Sequence, residues 1–114
     1  MAQAEVILSG FADEGTVSKR AEEQFTMMRT LGMSYYTIRF IDVDQGMKNV
    51  MELSDEEIDQ VKELHEAYDI RISSIGSPIG KVKLNEVDDG TENRYVPFDE
   101  YLDKDVQRAI DLAK

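Results

Sequence analysis

Short apolar runs alternate with helix-like periodicity along this chain, and the alternation predicts three strand–helix units. The runs at residues 6–8, 34–41 and 70–75 are rich in β-branched or aromatic residues, which is typical of strands. These strands begin near residues 6, 35 and 70, and that spacing of about 30 residues fits a strand, a crossover helix and a parallel strand. We therefore expect an α/β protein with a parallel sheet and right-handed crossovers.

Each predicted strand is followed by a segment with apolar residues at helical spacing. The first helix is expected within residues 16–32, where Gly32 is well placed to end it. The second has a capping-box pair, Ser54 and Glu57, flanked by Leu53 and Ile58 as a hydrophobic staple. The apolar stripes of the three helices are Val17, Ala21, Phe25, Met28 and Leu31, then Ile58, Val61, Leu64 and Tyr68, then Phe98, Leu102, Val106, Ala109, Ile110 and Ala113.

Composition and charge narrow the class of protein. The 114 residues fit a single domain spanning 1–114, and the apolar fraction of 41% is enough for a core. A net charge of −11 disfavours nucleic-acid binding, and the absence of cysteine excludes disulfides and thiolate metal sites. The first ten residues lack the basic region of a signal peptide, and no stretch is long and apolar enough for a membrane span. We expect a cytoplasmic protein with no membrane or nucleic-acid partner.

The candidate chemistry lies in the loops that follow the predicted strands. In a parallel sheet these loops share one edge, and here they cover residues 9–15, 39–50 and 77–84. Alternation along the second strand places Tyr36, Ile38 and Phe40 on the face that meets the helices, and Thr37 and Arg39 on the opposite face. Arg39 then either points toward a substrate or is a loop residue paired with a nearby acid.

The loop after the third strand carries Gly76, Pro78, Gly80 and Lys81. Its spacing does not match a phosphate-binding P-loop, because three residues rather than four separate the glycines and no Ser or Thr follows the lysine. Two interpretations remain open: a tight turn that binds nothing, and a turn whose backbone approaches a ligand beside the Lys81 cation.

Three acidic or histidine motifs are candidate metal sites. Asp42 and Asp44 form a D-x-D pair that would suit magnesium, although paired acids are common in so acidic a chain. The acidic stretch at residues 87–93 lacks the ligand pattern of an EF-hand. His65, the single histidine, lies on the second predicted helix and is expected to be a partly exposed helix residue without a catalytic role.

The segments SGFADEG and YYTIRFIDVDQGMKNVMELSDEEIDQVKELHEAYDIRISSIGSPIGKV resemble the N-terminal part of the sugar phosphate isomerase/epimerase family. The family belongs to the xylose-isomerase-like TIM barrels, and KNVMELSDEE and SSIGSPIGK are the most specific pieces. The resemblance implies a (β/α)8 barrel that isomerises or epimerises sugars or sugar phosphates, commonly with Mn²⁺ or Mg²⁺. By position it implies that Arg39, Asn49, Ser77 and Lys81 line the substrate site.

The chain departs from the family pattern in two ways. Thr37 stands where the family often has a glutamate. A complete barrel takes roughly 250 residues, whereas this chain supplies about three of the eight units, and the implied metal ligands belong to later strands. The chain also stops inside an amphipathic helix without Gly or Pro. We expect a partial barrel that is inactive alone; the alternative is a non-enzymatic carbohydrate- or anion-binding or assembly module.

An incomplete parallel sheet would leave a face and its edges uncovered. Parallel sheets are normally covered on both faces, and bare edges favour pairing with other chains. We therefore expect a homo-oligomer, or association with a missing C-terminal part.

Overall fold

The computed structural model describes residues 5–83, 85–88 and 90–114, which form a mixed α/β protein with short parallel strand pairs. The chain divides into two compact units, Met1–Gly76 and Ser77–Lys114. The first unit contains a 3₁₀ turn at Ala12–Glu14, α1 (Ala21–Thr30), β1 (Tyr35–Ile38), β2 (Phe40–Ile41), β3 (Lys48–Asn49), a 3₁₀ turn at Val50–Glu52, α2 (Asp55–Tyr68) and β4 (Arg71–Ile75). The second contains β5 (Val82–Lys83), β6 (Arg94–Tyr95), α3 (Phe98–Glu100), a π-helical turn at Tyr101–Val106 and α4 (Gln107–Ala113).

The central sheet of the first unit confirms the predicted second and third strands and their parallel arrangement. β1 and β4 pair in parallel, with Tyr35 opposite Arg71 and Ile38 opposite Ile75. On the other side of β1, the backbone N–H of Thr37 donates to the carbonyl of Gly10 at 2.8 Å. β1 therefore lies between the N-terminal segment and β4.

The predicted first strand is wrong as a regular element. Val6, Ile7 and Leu8 belong to no strand and are 82%, 50% and 68% exposed, and the segment makes only a single parallel bridge, between Phe11 and Thr37. Strand side chains of this type are stabilised chiefly by burial against neighbours. Among the residues that the structure describes, no neighbour buries these side chains, so the apolar pattern alone does not produce a ladder.

The first helix begins later than predicted. Residues on its N-terminal side pair with the segment after β2, where the N–H of Asp42 donates to the carbonyl of Lys19 and the N–H of Ala21 donates to the carbonyl of Asp42, both at 2.9 Å. This extended pairing is incompatible with helical turns before Ala21. Val17 consequently lies outside α1 and is fully exposed, while Phe25 and Met28 are buried as predicted.

Aromatic packing joins α1, α2 and β1 into the core of the first unit. The Phe25 and Tyr36 rings meet edge to face, with centroids 5.2 Å apart, and the hydroxyl of Tyr36 lies 2.6 Å from Nε2 of His65. Ile38 is buried as strand alternation predicts, but the alternation fails beyond Arg39, where Ile41 rather than Phe40 is fully buried. Strand β1 ends at Ile38, and the following strand β2 pairs with β3 instead of continuing beside β4.

The predicted N-terminus of the second helix is confirmed. Oγ of Ser54 accepts from the N–H of Glu57, and the Glu57 carboxylate accepts from the N–H of Ser54, which is a complete capping box. The same carboxylate accepts from Nζ of Lys48 at 2.7 Å, tying the β2–β3 hairpin to α2. Hydrogen bonding from Lys48, and then from the Ser54 backbone, lowers the pKa of Glu57 below its usual value.

The second unit differs from the sequence-based expectation in two ways. Arg94–Tyr95 pairs in parallel with Val82–Lys83, a strand pair that the apolar pattern does not predict. The predicted third helix is present, but its π-helical turn shifts the apolar spacing. Tyr101 is buried there, while much of the predicted stripe, Phe98, Leu102 and Ile110, is exposed. Across the described residues, no helix has the length and apolar character needed to cross a bilayer.

Candidate functional site

Polar and aromatic groups from three neighbouring segments meet at one edge of the first unit. Arg39 directly follows β1, Gly76 directly follows β4, and Phe11, Asp13 and Glu14 follow the N-terminal segment beside β1. We call these five residues the Arg39 rim. Because β1 and β4 are parallel, their carboxyl ends lie at the same edge, as the sequence predicted for the loops after the strands.

Arg39 is paired with acids, which is one of the two alternatives that the sequence left open. Its Nε and Nη2 each lie 2.9 Å from Oδ2 of Asp13, and Nη2 donates to Oε1 of Glu14 at 3.0 Å. The hydrogen bond to Asp13 raises the pKa of Arg39 above its ordinary value, so the group is always charged. Within the described chain, Nη1 has no hydrogen-bond partner.

Two aromatic rings restrict the orientation of the Arg39 guanidinium. The Cζ atom of Arg39 lies 4.5 Å from the ring centroid of Phe11 and 5.5 Å from that of Phe40. Such contacts favour a cation over the ring face and restrict its rotation. Phe11 itself is 43% exposed, so the rim presents both an aromatic surface and a charged group to its surroundings.

Asp13 is the most deeply buried acid of the rim. Its side chain is 2% exposed, and its Oδ2 atom accepts from Arg39. Its other carboxylate oxygen, Oδ1, is buried and finds no hydrogen-bond partner among the described residues. Buried acceptors are normally hydrogen-bonded, so Oδ1 is an acceptor with unused capacity at this site.

The close packing around Gly76 leaves no room for a side chain at this position. A Cβ atom at this position would lie 2.8 Å from Cε1 of Phe11 and 2.9 Å from Cβ of Arg39, closer than real side chains approach. From the sequence, this glycine belonged either to a turn that binds nothing or to a turn whose backbone approaches a ligand. In the structure, the backbone of Gly76 packs closely against the side chains of Arg39 and Phe11. The absence of a side chain at this position therefore allows the residues of the rim to pack together.

Asn49 lies near the rim at the end of the β2–β3 hairpin, and each end of its amide makes one hydrogen bond. Nδ2 donates to the carbonyl of Gly76 at 3.3 Å, and Oδ1 accepts from the N–H of Met51 at 2.9 Å. The side chain therefore joins the hairpin to the end of β4 and caps the following 3₁₀ turn. In this conformation it supports the rim.

Hydroxyl groups line the face of the sheet that points away from the helices. The Thr37 and Ser74 hydroxyls are 2.7 Å apart, and the hydroxyl of Ser9 contacts that of Ser73. Ser9 and Ser73 belong to the two segments that flank β1, so their contact spans the intervening strand. The register of β4 shifts between Tyr36 and Thr37 of β1, so Ser73 is an extra residue of β4 and its hydroxyl also donates to the carbonyl of Tyr36.

Ser77 and Lys81, the other two predicted site residues, belong to the second unit. The N–H of Lys81 donates to the carbonyl of Pro78 at 2.9 Å, which confirms the predicted tight turn. Gly80 has a φ of +89° and its N–H donates to the Tyr101 hydroxyl at 2.8 Å, so the turn is fixed to the C-terminal helix. Lys81 is exposed, and whether the turn binds a ligand stays a prediction.

The same unit also has an open surface cavity of about 280 Å³. It contains none of the four predicted site residues, and it is lined by Lys83, Glu86, Val87, Asp88, Asn93 and Tyr95.

The candidate metal motifs have structural roles. Oδ1 of Asp42 accepts from the N–H groups of Asp44 and Gly46, and the Asp44 carboxylate pairs with Arg20 at 3.0 Å. These acids therefore hold a turn together rather than converge on a cation. In the described ranges 5–83, 85–88 and 90–114, no three His, Asp or Glu side chains are grouped as metal ligands. Asp89, within the acidic stretch at 87–93, lies outside the described residues.

His65 is half-buried, in agreement with its interpretation as a helix residue. It packs against Phe25, with ring centroids 5.4 Å apart, and its Nε2 contacts the Tyr36 hydroxyl. Burial lowers the pKa of His65 and raises that of Tyr36, so the neutral pair is favoured.

Sequence reasoning missed Asp13 and Glu14 as partners of Arg39. Both were present in the quoted loop at residues 9–15, and that loop was assigned to the same sheet edge as Arg39. Their proximity to a lone arginine at that edge was the available signal.

Comparison with protein-family models, with curated proteins and with solved structures finds no match to this chain.

Proposed function

We propose that this chain is the N-terminal part of a (β/α)8 barrel of the sugar phosphate isomerase/epimerase type. In this proposal the Arg39 rim and the hydroxyl-lined sheet face bind a sugar or sugar phosphate. The chain alone does not catalyse the reaction. The observation that carries the proposal is the hydroxyl-lined face of the parallel sheet, which leads directly to the Arg39 rim.

The hydroxyl contacts support the barrel part of the proposal. In a (β/α)8 barrel the interior is filled in layers, and each layer is built by side chains from alternate strands. Ser9 and Ser73 stand in that relation, because they flank β1 and touch across it. The order of the N-terminal segment, β1 and β4 is also that of consecutive barrel strands.

The chemistry of the rim supports a hydroxyl-rich ligand. Sugar hydroxyls both donate and accept hydrogen bonds, and the rim offers donor N–H groups at Nη1 of Arg39 and acceptor oxygens on the exposed carboxylate of Glu14. Phe11 adds an exposed apolar surface. Small-molecule sites combine a few convergent polar groups with apolar walls in this manner.

The family resemblance also implies a divalent metal, Mn²⁺ or Mg²⁺, but the residues described here do not form a site for it. The two acids of the rim, Asp13 and Glu14, are both paired with Arg39. In the proposal the metal ligands come from strands that are not part of this sequence. The role of this chain is to bind and orient the substrate.

Binding of neutral monosaccharides to the full 114-residue chain tests the proposal. We expect saturable binding in calorimetry, with NMR shifts at Thr37, Ser74 and Arg39, and no epimerisation on addition of Mn²⁺ or Mg²⁺. Thr37→Val should weaken binding because it removes an inner-face hydroxyl. Thr26→Val, on the exposed side of α1, is the matched control and should bind as the wild type does. Turnover by the isolated chain would contradict the claim that it is inactive.

The second candidate is a non-enzymatic carbohydrate- or anion-binding or assembly module. It is favoured by the closed hydrogen bonding of Asn49 and the mutual pairing of Arg39 with acids, which suit a static surface. This alternative predicts that sugar or anion binding is unchanged by EDTA, even after the rest of a barrel is supplied. Under the first proposal, EDTA abolishes activity in the completed barrel.

A further inference from the structure

The two carboxylates on Arg39 differ greatly in burial. Asp13 is 2% exposed and receives both Nε and Nη2, whereas Glu14 is 65% exposed and receives Nη2 alone. Exposed ion pairs contribute little and exchange readily with solvent, while a buried partner cannot be removed without leaving an uncompensated charge. Asp13 is therefore the permanent partner of Arg39, and Glu14 is a replaceable one.

We propose that Glu14 is an intrinsic counter-ion that occupies the oxyanion-binding position on Arg39 and makes the rim discriminate against phosphorylated ligands. An arginine binds phosphate through paired N–H groups of its planar fork. Here Nη2 already donates to Oε1 of Glu14 at 3.0 Å. A phosphate could bind the Nη1–Nη2 fork through paired N–H groups only by displacing the Glu14 carboxylate; with Glu14 in place it is limited to a single contact at Nη1.

The local charge does not favour a dianion. One guanidinium and two carboxylates carry a formal charge of −1, and the Lys19 ammonium, which donates to the backbone carbonyl of Asp13, brings the formal charge of this region to zero. A neutral hydroxyl group needs no uncompensated cation. It can accept from Nη1 of Arg39 without moving Glu14. The rim is therefore selective for the unphosphorylated part of a sugar.

This inference rests on the proposed function only in assuming that the ligand is a sugar; the statement about Arg39 and Glu14 is tested with inorganic phosphate. Phosphate is titrated into the full chain at low ionic strength, and the Nε–H resonance of Arg39 is followed by NMR. Glu14→Gln should bind phosphate about two- to fivefold more tightly than the wild type, the range expected for loss of an exposed ion pair. Glu23→Gln, an equal charge change at an exposed site on α1, should bind as the wild type does.

The double variant Glu14→Gln/Arg39→Gln assigns the gain to the guanidinium. We expect it to lose the added phosphate affinity, because the fork that Glu14 vacates is no longer present. The inference is overturned if Glu14→Gln binds phosphate no better than Glu23→Gln, or if the gain survives without Arg39. Absence of neutral-sugar binding together with a gain in Glu14→Gln would refute the proposed function and leave this inference standing.

Discussion

Gly76→Ala is the most direct perturbation of the Arg39 rim, because it adds a single methyl group at its most crowded point. The new Cβ would lie 2.8 Å from Cε1 of Phe11 and 2.9 Å from Cβ of Arg39. The Phe11 ring can rotate away, since it is 43% exposed. The Cβ of Arg39 cannot, because it is attached to backbone that immediately follows β1.

The magnitude follows from two opposing effects. Overpacking of this kind typically costs about 1–3 kcal/mol, since backbone must shift to relieve the contact. Replacing glycine by alanine also reduces the entropy of the unfolded chain, which offsets about 0.4–1 kcal/mol. Gly76 does not have a positive φ, so no additional backbone strain is expected. We therefore expect a net loss of about 1–2 kcal/mol in the free energy of unfolding.

Urea unfolding followed by far-ultraviolet circular dichroism measures this change. Gly10→Ala is the matched control, because Gly10 lies on the neighbouring segment and an added Cβ there meets no atom within 4 Å. The control should be neutral or slightly stabilising, and both variants should keep the wild-type dependence on urea. Equal stability of the two variants would refute the contact geometry of the Arg39 rim.

Three further predictions concern α2, the core and the sheet. Ser54→Ala should cost about 1 kcal/mol of stability by removing the N-cap of α2, measured by urea unfolding; no loss would contradict the capping box. Burial lowers the pKa of His65 below 6.5, so the unfolded chain takes up the proton first and stability should fall as pH drops through about 6.5. His65→Gln should flatten that part of the pH profile, and an unchanged slope would assign it to other groups. Because β4 is exposed from Arg71 to Ser74, we predict self-association in light scattering, and a monodisperse monomer at micromolar concentration would count against it.

Local signals were the part of the structure that sequence reasoning predicted well. The capping box at Ser54 is made by groups only three residues apart, so no distant contact decides whether it forms. The alternation of Tyr36 and Ile38 reports burial directly, because each strand residue faces one side of the sheet. Where such local patterns coincide, element type follows from the sequence.

Features that depend on distant partners could not be predicted in this way. The start of α1 is set by the pairing of Lys19 and Ala21 with Asp42, about twenty residues away along the chain. Residues 6–8 are exposed because no other part of the described chain covers them, although their apolar pattern is that of a buried strand. The partners of Arg39 likewise required two loops to be brought together in space.

The hydroxyl-lined face links these observations to the function proposed for the chain. Ser73 is the extra residue at the register shift of β4, and its hydroxyl reaches over β1 to the carbonyl of Tyr36 and to the hydroxyl of Ser9. A bulge of this kind bends a strand and redirects a side chain, so it gathers hydroxyl groups on the face that carries Thr37 and leads to Arg39. The parallel arrangement of β1 and β4 places that face next to the edge where Arg39, Asp13 and Glu14 meet.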